Sequence, residues 1–295
     1  MINFFEIGDI MKIADKFNQG KTVFSFEVFP PKKTSPFETI ITALDQLKDL
    51  NPDYISVTYG AGGSNRDNTL EVASKIKNDY NIEALAHLTC INSKKSDVDS
   101  MLEDLKKANI TNILALRGDI MPDVEPEKDF RYAMDLCKYI KEKDSFNLAG
   151  ACYPEVHIDA ENQVEGIYYL KEKVNSGLDF LITQLFFDND IFYRFYENTK
   201  IAGINIPIEA GIMPVTNKKQ IERMVSMCGV SVPSKLSKIM QKYENNPEAL
   251  RDAGIAYAIE QIVELISNDI DGIHLYTMNN PYVAKKIKEA VENLL

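Results

Sequence analysis

Eight times along the chain an apolar run of strand length ends in polar or glycine residues and passes into an amphipathic helical pattern. That alternation predicts an α/β fold, a (β/α)8 TIM barrel with an extra N-terminal helix. The length of 295 residues suits the prediction, since such barrels need roughly 250. No linker rich in Gly, Pro or Ser, no low-complexity tract and no charge block interrupts the pattern. Residues 1–295 are therefore expected to form one catalytic domain.

The elements follow in order. A short helix is expected over 10–17 and a first strand over 22–29. That strand is closed by Pro30-Pro31, which cannot continue a ladder. Ser35 caps the next helix and Pro36 opens it, with Ile40, Leu44, Leu47 and Leu50 on one face. Further strands are predicted at 54–58, 84–88, 112–116, 147–152, 179–186, 206–211 and 272–276. Helices are predicted at 68–79, 94–108, 129–142, 160–176, 190–202, 218–227, 249–267 and 281–294. Strand–helix alternation implies parallel strands, and a helix after each of eight strands favours closure over an open sheet. The stretch 232–247 reads as an insertion holding one short helix.

Composition excludes some classes of function. The net charge of −11 argues against general nucleic-acid binding, which needs a basic face. Cys90, Cys137, Cys152 and Cys228 form no CxxC pair and no zinc spacing, and read as reduced core thiols of a cytoplasmic protein. The N-terminus has no basic region followed by an apolar run, and no stretch approaches the ~18 apolar residues of a membrane span. No membrane association is expected.

In a barrel of this kind, chemistry sits at the C-terminal ends of the strands. Those ends carry Glu27, Thr58, His87, Arg117-Gly118-Asp119, Tyr153 to His157, Gln184, Gly211 to Pro214 and Tyr276 to Asn279. Glu27 stands out because it lies among Phe24, Phe26, Val28 and Phe29. A carboxyl withdrawn from water keeps its proton longer, which is how a general acid is made near neutral pH. No HxH, HExxH or carboxylate cluster offers a metal site, and no GxSxG or Cys–base pair offers a hydrolytic nucleophile. There is no GxGxxG turn, so a nucleotide would have to be held by the barrel rim. The run Gly60-Ala61-Gly62-Gly63-Ser64 reads equally as a flexible βα loop.

At the strand ends the sequence resembles the methylenetetrahydrofolate reductase family. The resemblance rests on Phe24 to Lys32, Ser56 to Ala61, Ala86 to Cys90, Ala115 to Asp119, Tyr153 to His157, Ile182 to Asp188, Gly211 to Val215 and Leu275 to Asn279. These motifs stand in family order along nearly the whole chain, and they look like the short bacterial type without a regulatory C-terminal domain. The resemblance implies bound FAD, NADH or NADPH as donor, and 5,10-methylenetetrahydrofolate as acceptor. One site would serve both substrates in turn, giving ping-pong kinetics and 5-methyltetrahydrofolate for methionine synthesis. It also implies a homo-oligomer.

Residue by residue, the resemblance makes Glu27 the general acid that opens the folate ring, and Asp119 the charge beside flavin and folate. Gln184, Gln220, Met224 and Asn280 fall on folate-pocket positions. Thr58, His87, Arg117, Gly118, Asp119, Tyr132, Ala133, Tyr153, His157 and Lys173 fall on flavin-contacting positions. On their own residue types, Gln220 and Lys173 read as solvated helix positions and His87 as a satisfied histidine at a strand end. Met224 stands where some relatives place phenylalanine, and Asn280 where they place arginine. Gly166, Tyr169 and Glu172 replace polar or basic residues around the adenosine half of the flavin. Two other readings share the architecture: a flavin-dependent amine oxidoreductase of proline dehydrogenase type, and a barrel subunit served by an electron-donor partner.

Overall fold

The computed structural model describes residues 12–31, 36–59, 66–120, 125–157 and 160–295. The strands are β1 (Val23–Val28), β2 (Tyr54–Val57), β3 (Glu83–Thr89), β4 (Asn112–Leu116), β5 (Asn147–Cys152), β6 (Phe180–Thr183), β7 (Ile208–Ile212) and β8 (Gly272–Tyr276). Each pairs in parallel with the next, and β8 pairs back onto β1, so the barrel closes as the sequence predicts. Around it run α2 (Glu38–Leu47), α3 (Arg66–Ser74), α4 (Lys95–Lys107), α5 (Ala133–Lys143), α6 (Gln163–Asn175) and α7 (Asn189–Ile201). The β7–β8 connection carries α8 (Lys218–Cys228), α9 (Ser234–Lys242) and α10 (Pro247–Ser267), with α9 inside the expected insertion. A last helix, α11 (Pro281–Val291), packs beside α10 and α2. Among the described residues no helix is long and apolar enough to cross a membrane.

Side chains of a strand alternate between faces. On β1, Phe24, Phe26 and Val28 join Ile40, Leu44 and Leu47 of α2 and Val283 and Ile287 of α11 in the main hydrophobic core. Ser25 and Glu27 therefore face the barrel interior. This corrects the expected surroundings of Glu27. Its apolar chain neighbours point to the helix layer, and the carboxylate meets polar groups from other strands.

The N-terminal mouth of the barrel is plugged. The short helix α1 (Ile13–Lys16) drives Ile13 among Val23, Tyr54, Leu85, Leu114, Phe180 and Ile182. Asn112 Oδ1 accepts from the backbone N–H of Ile13 at 3.0 Å, and Asn147 Oδ1 from that of Ala14 at 3.2 Å. Two donors of this helix start, which would otherwise be orphaned, are thus satisfied by side chains from β4 and β5. Residues 10 and 11 of the predicted helix, and the predicted cap Ser35, lie outside the described residues.

Two boundaries differ from expectation for identifiable reasons. The sequence predicts the sixth strand over 179–186, but β6 leaves the ladder after Thr183. The carbonyls of Phe186 and Phe187 instead accept from Gln261 Nε2 (3.1 Å) and the Tyr257 hydroxyl (2.7 Å) of α10. The fifth helix starts at Ala133, not 129, because Asp135 accepts from the backbone N–H groups of Arg131 (2.9 Å) and Tyr132 (2.8 Å). That closes the N-terminus there.

Candidate active site

One half of the barrel interior is polar. Glu209 from β7, His274 and Tyr276 from β8, Ser25 and Glu27 from β1, Tyr54 and Ser56 from β2, and His87 from β3 all point inward. The other half is lined by Leu85, Leu114, Ala149, Phe180 and Ile182. Strand register explains the convergence: Ser25 lies opposite His274 and Tyr54, and Glu27 opposite Tyr276 and Ser56.

Glu27 is 8% exposed and its Oε2 lies 3.5 Å from His87 Nε2 and 3.7 Å from His274 Nε2. Both separations exceed a good hydrogen bond, and His87 Nε2 is buried without a hydrogen-bond partner. Burial pushes the His87 ring down to about 4, against the opposing pull of Glu27, so the ring is neutral near pH 7. Below them, Ser25 Oγ donates to Glu209 Oε1 (3.0 Å) and contacts His274 Nδ1 (2.6 Å). The Tyr54 hydroxyl donates to Glu209 Oε2. Burial raises the Glu209 carboxyl to about 7, opposed by His274 and by these two hydrogen bonds. Tyr276 donates to the Thr183 carbonyl at 2.7 Å. Burial, reinforced by the charge of Glu27, holds its phenol well above the usual range.

A second feature opens beside the ends of β4 and β5, between α5 and α6. It is a cavity of about 340 Å³ walled by Arg117, Tyr132, Ala133, Tyr153, His157 and Lys173, together with Gly166 and Tyr169. The structure thus brings most of the expected flavin positions to one wall. The rings of Tyr153 and His157 meet edge-on with centroids 4.4 Å apart. Lys173 donates to the Ala151 carbonyl, and no carboxylate among the described residues pairs with it. Burial lowers its amine below the usual lysine range.

The remaining flavin candidates lie outside that wall. Thr58 joins β2 to α3, its N–H donating to Val28 O (3.1 Å) and its carbonyl accepting from Thr69 Oγ1 (3.0 Å). His87 lies inside the barrel. Gly118 turns the chain after β4 at φ +84°. Asp119 is exposed on the rim; burial raises the Tyr153 phenol and the Cys228 thiol, and the Asp119 charge adds a smaller push to both.

Among the folate candidates, Gln184 follows β6 and its Oε1 accepts from the Leu185 N–H at 2.9 Å. Gln220 is half-buried in the first turn of α8, which is capped by Asn217. Met224 packs against the cluster of Leu185, Phe187 and Met213 above β6 and β7. Asn280 caps α11, its Oδ1 accepting from Val283 N–H at 3.3 Å.

Sequence reasoning missed Ser25, Ser56, Glu209 and His274. The signal was present: Glu209 lies between Ile208 and Ala210, and His274 between Ile273 and Leu275. These are lone polar residues in apolar strands, the pattern that singled out Glu27. Among the described residues no cluster of His, Cys, Asp and Glu could hold a metal ion.

Comparison with known proteins bears on this arrangement. The chain is 38% identical over 288 residues to methylenetetrahydrofolate reductase (NADH) 1 of Arabidopsis thaliana, covering 91% of this chain and 49% of that protein. It is 36% identical over 262 residues to the 5,10-methylenetetrahydrofolate reductase of Salmonella typhimurium, covering 88% of each. The Escherichia coli protein of the same description is 35% identical, again covering 88% of each. The chain therefore spans about half the length of the plant relatives and most of the bacterial ones. In fold it resembles an uncharacterized protein from Clostridium thermocellum that binds two copies of 5-methyl-5,6,7,8-tetrahydrofolic acid (TM-score 0.63, 15% identity, 96% and 98% of the two chains covered). The methylenetetrahydrofolate reductase family model matches residues 12–292, from the barrel plug through the last helix, and the chain belongs to that family.

Proposed function

We propose that this protein reduces 5,10-methylenetetrahydrofolate to 5-methyltetrahydrofolate with a nicotinamide donor, through bound FAD, in a ping-pong cycle that supplies methionine synthesis. The carrying observation is the buried Glu27 carboxyl at the catalytic end of β1, beside a neutral His87. Bacterial relatives of similar length, named for that reaction, support the reading. Plant relatives named for NADH support NADH as donor.

The residues present fit a flavin dinucleotide. Lys173 is a half-buried, desolvated cation with no carboxylate partner among the described residues, so an anion there offsets its desolvation. Nothing lies within 4 Å of where a Cβ of Gly166 would sit, which leaves that part of the wall open. Arg117 and Lys173 supply cations for a pyrophosphate, and Tyr132, Tyr153 and His157 supply flat or hydrogen-bonding surfaces. When bound, FAD would carry hydride between nicotinamide and folate.

Glu27 holds a proton and delivers it to the folate nitrogen whose bond to the one-carbon unit opens. The open form is a cationic iminium, a far better hydride acceptor than the closed ring. Asp119 on the rim offers a negative charge to that cation. The Gln184 amide both donates and accepts, which suits two unlike ligands taking turns. In this reading the barrel works as one catalytic domain of a cytoplasmic homo-oligomer.

The test is direct. The purified protein is expected to be yellow, to bleach with NADH, and to regain colour on adding methylenetetrahydrofolate. A protein that binds no flavin on titration, or whose reduced flavin does not respond to folate, would overturn the proposal.

A further inference from the structure

Glu209 lies deep in the barrel, fully buried, and the mechanism above gives it no task. A buried carboxyl is costly unless it is paired or used. The strand opposite it is built to admit it: a Cβ on Gly272 would lie 2.5 Å from Glu209 Cγ. Its hydrogen bonds lead through the Ser25 hydroxyl to His274, whose Nε2 lies 3.7 Å from Glu27 Oε2, beyond hydrogen-bond reach.

We infer that Glu209, through Ser25, sets which nitrogen of His274 carries the ring proton, and so positions His274 to share a single proton between Glu209 and Glu27. This rests on the reading of Glu27 as the general acid. Ser25 has one hydrogen, which Glu209 Oε1 (3.0 Å), the Ile273 carbonyl (3.4 Å) or a bare His274 Nδ1 (2.6 Å) can accept, and an ionised carboxylate is the strongest acceptor of the three. When Glu209 is ionised, Ser25 donates to it, so Ser25 Oγ must accept from His274 Nδ1–H at 2.6 Å. Nε2 then presents a lone pair towards Glu27, 3.7 Å away, and towards Ser56 Oγ at 3.3 Å. A lone pair in that position favours the protonated acid form of Glu27.

When Glu209 is neutral the chain reverses. Its O–H donates to Ser25, Ser25 donates to Nδ1, and Nε2–H points at Glu27 and favours the carboxylate. Exchange requires the Glu27–Nε2 separation to close from 3.7 Å to hydrogen-bond length; the Glu27 proton then passes to Nε2, the Nδ1 proton to Ser25, and the Ser25 proton to Glu209. One proton has moved from one carboxyl to the other, and the net charge is unchanged.

The surroundings suit such an exchange. Glu27 faces His87 from β3, His274 and Tyr276 from β8, and the Ser56 hydroxyl from β2. Glu209 faces Tyr54 from β2 and His274 from β8, with Asp53 adding a weaker repulsion. No described lysine or arginine pairs with either carboxyl. Burial raises the Glu209 carboxyl to about 7, against the pull of His274 and its hydrogen bonds.

The experiment is 15N NMR of the whole protein labelled at histidine, with His274 assigned by its loss in His274→Gln. The expected result is a ring proton on Nδ1 above neutral pH and a tautomer step as pH falls through the Glu209 range. Ser25→Ala and Glu209→Gln each abolish that step. The pH profile of folate reduction is then displaced by about one unit, with flavin reduction by NADH unchanged. An Nε2–H tautomer at alkaline pH, or an unaltered step in both variants, would overturn the inference. The NMR result does not depend on catalysis, so Glu27→Gln kinetics decide separately whether Glu27 is the acid.

Discussion

Glu27 Oε2 lies 3.5 Å from His87 Nε2, yet the two form no ion pair near neutral pH because burial holds the ring down to about 4. The unfolded ring protonates at 6.5, so His87 contributes stability that is fully present above pH 6.5 and lost as pH falls to about 4. Glu209 acts with the opposite sign. Its folded value is raised from 4.5 to about 7, so its contribution is present below pH 4.5 and lost as pH rises through about 7. Each effect is at most ~3 kcal/mol, and the two nearly cancel. Relative to the parent protein, His87→Gln is expected to gain stability as pH falls from 7 to 4.5, and Glu209→Gln to lose it between 6.5 and 4.5. Denaturant unfolding across that range measures both, and parallel profiles for all three proteins would rule the account out.

Glu27→Gln keeps the size and polarity of the side chain and removes its proton. Folate reduction by the reduced enzyme is expected to fall by ~10²–10⁴, the usual worth of one positioned acid. Flavin reduction by NADH needs no proton from this residue and is expected to hold within about twofold. Stopped-flow of the two half-reactions separates these outcomes. An equal loss in both would assign Glu27 to binding.

The sequence carries the barrel because an apolar strand-length run passes into an amphipathic helical pattern eight times, and β4, β5 and β8 fall at the predicted limits. It carries the rim because the strand ends are polar in a chain whose strands are otherwise apolar. What it does not carry is who meets whom across the closed barrel. Ser25 faces His274 only once β8 pairs with β1, and Glu209 fits only because Gly272 stands beside it. Likewise, the end of β6 depends on donors from α10, 70 and 75 residues later in the chain. The cavity beside β5 needs α5 and α6 docked at their actual spacing, which no periodicity supplies.

Lys173 offers a test of the cofactor wall that does not use turnover. Its amine is withdrawn from water and tied to the Ala151 carbonyl without a carboxylate. Lys173→Met removes a half-buried cation that lacks a carboxylate partner, together with its bond to the Ala151 carbonyl, so the flavin-free protein is expected to keep its stability within about 1 kcal/mol. Flavin affinity is expected to fall by about 10- to 100-fold, the worth of one charge-assisted hydrogen bond. Fluorescence titration against a thermal melt reads the two effects. Unchanged affinity would remove Lys173 from the flavin site.

Gly118 joins the two charged rim residues Arg117 and Asp119. Its φ is +84°, and a Cβ there would lie 2.9 Å from Thr89 Cβ at the end of β3. The turn has little room to yield, because the Arg117 carbonyl accepts from Ile91 N–H (2.8 Å) and Cys90 N–H (3.2 Å). Gly118→Ala is therefore expected to cost ~1–3 kcal/mol of stability and to displace Arg117 and Asp119 together. Flavin binding is expected to weaken by at least about tenfold, since a displaced cation loses its charge-assisted contact. Gly20 provides the control: its φ is +71° but nothing lies within 4 Å of its Cβ position, far from the rim at the start of β1. Gly20→Ala is expected to cost about 1 kcal/mol of backbone strain and to leave flavin affinity unchanged. Equal flavin affinity in the two variants would show that the Gly118 turn does not position the rim charges.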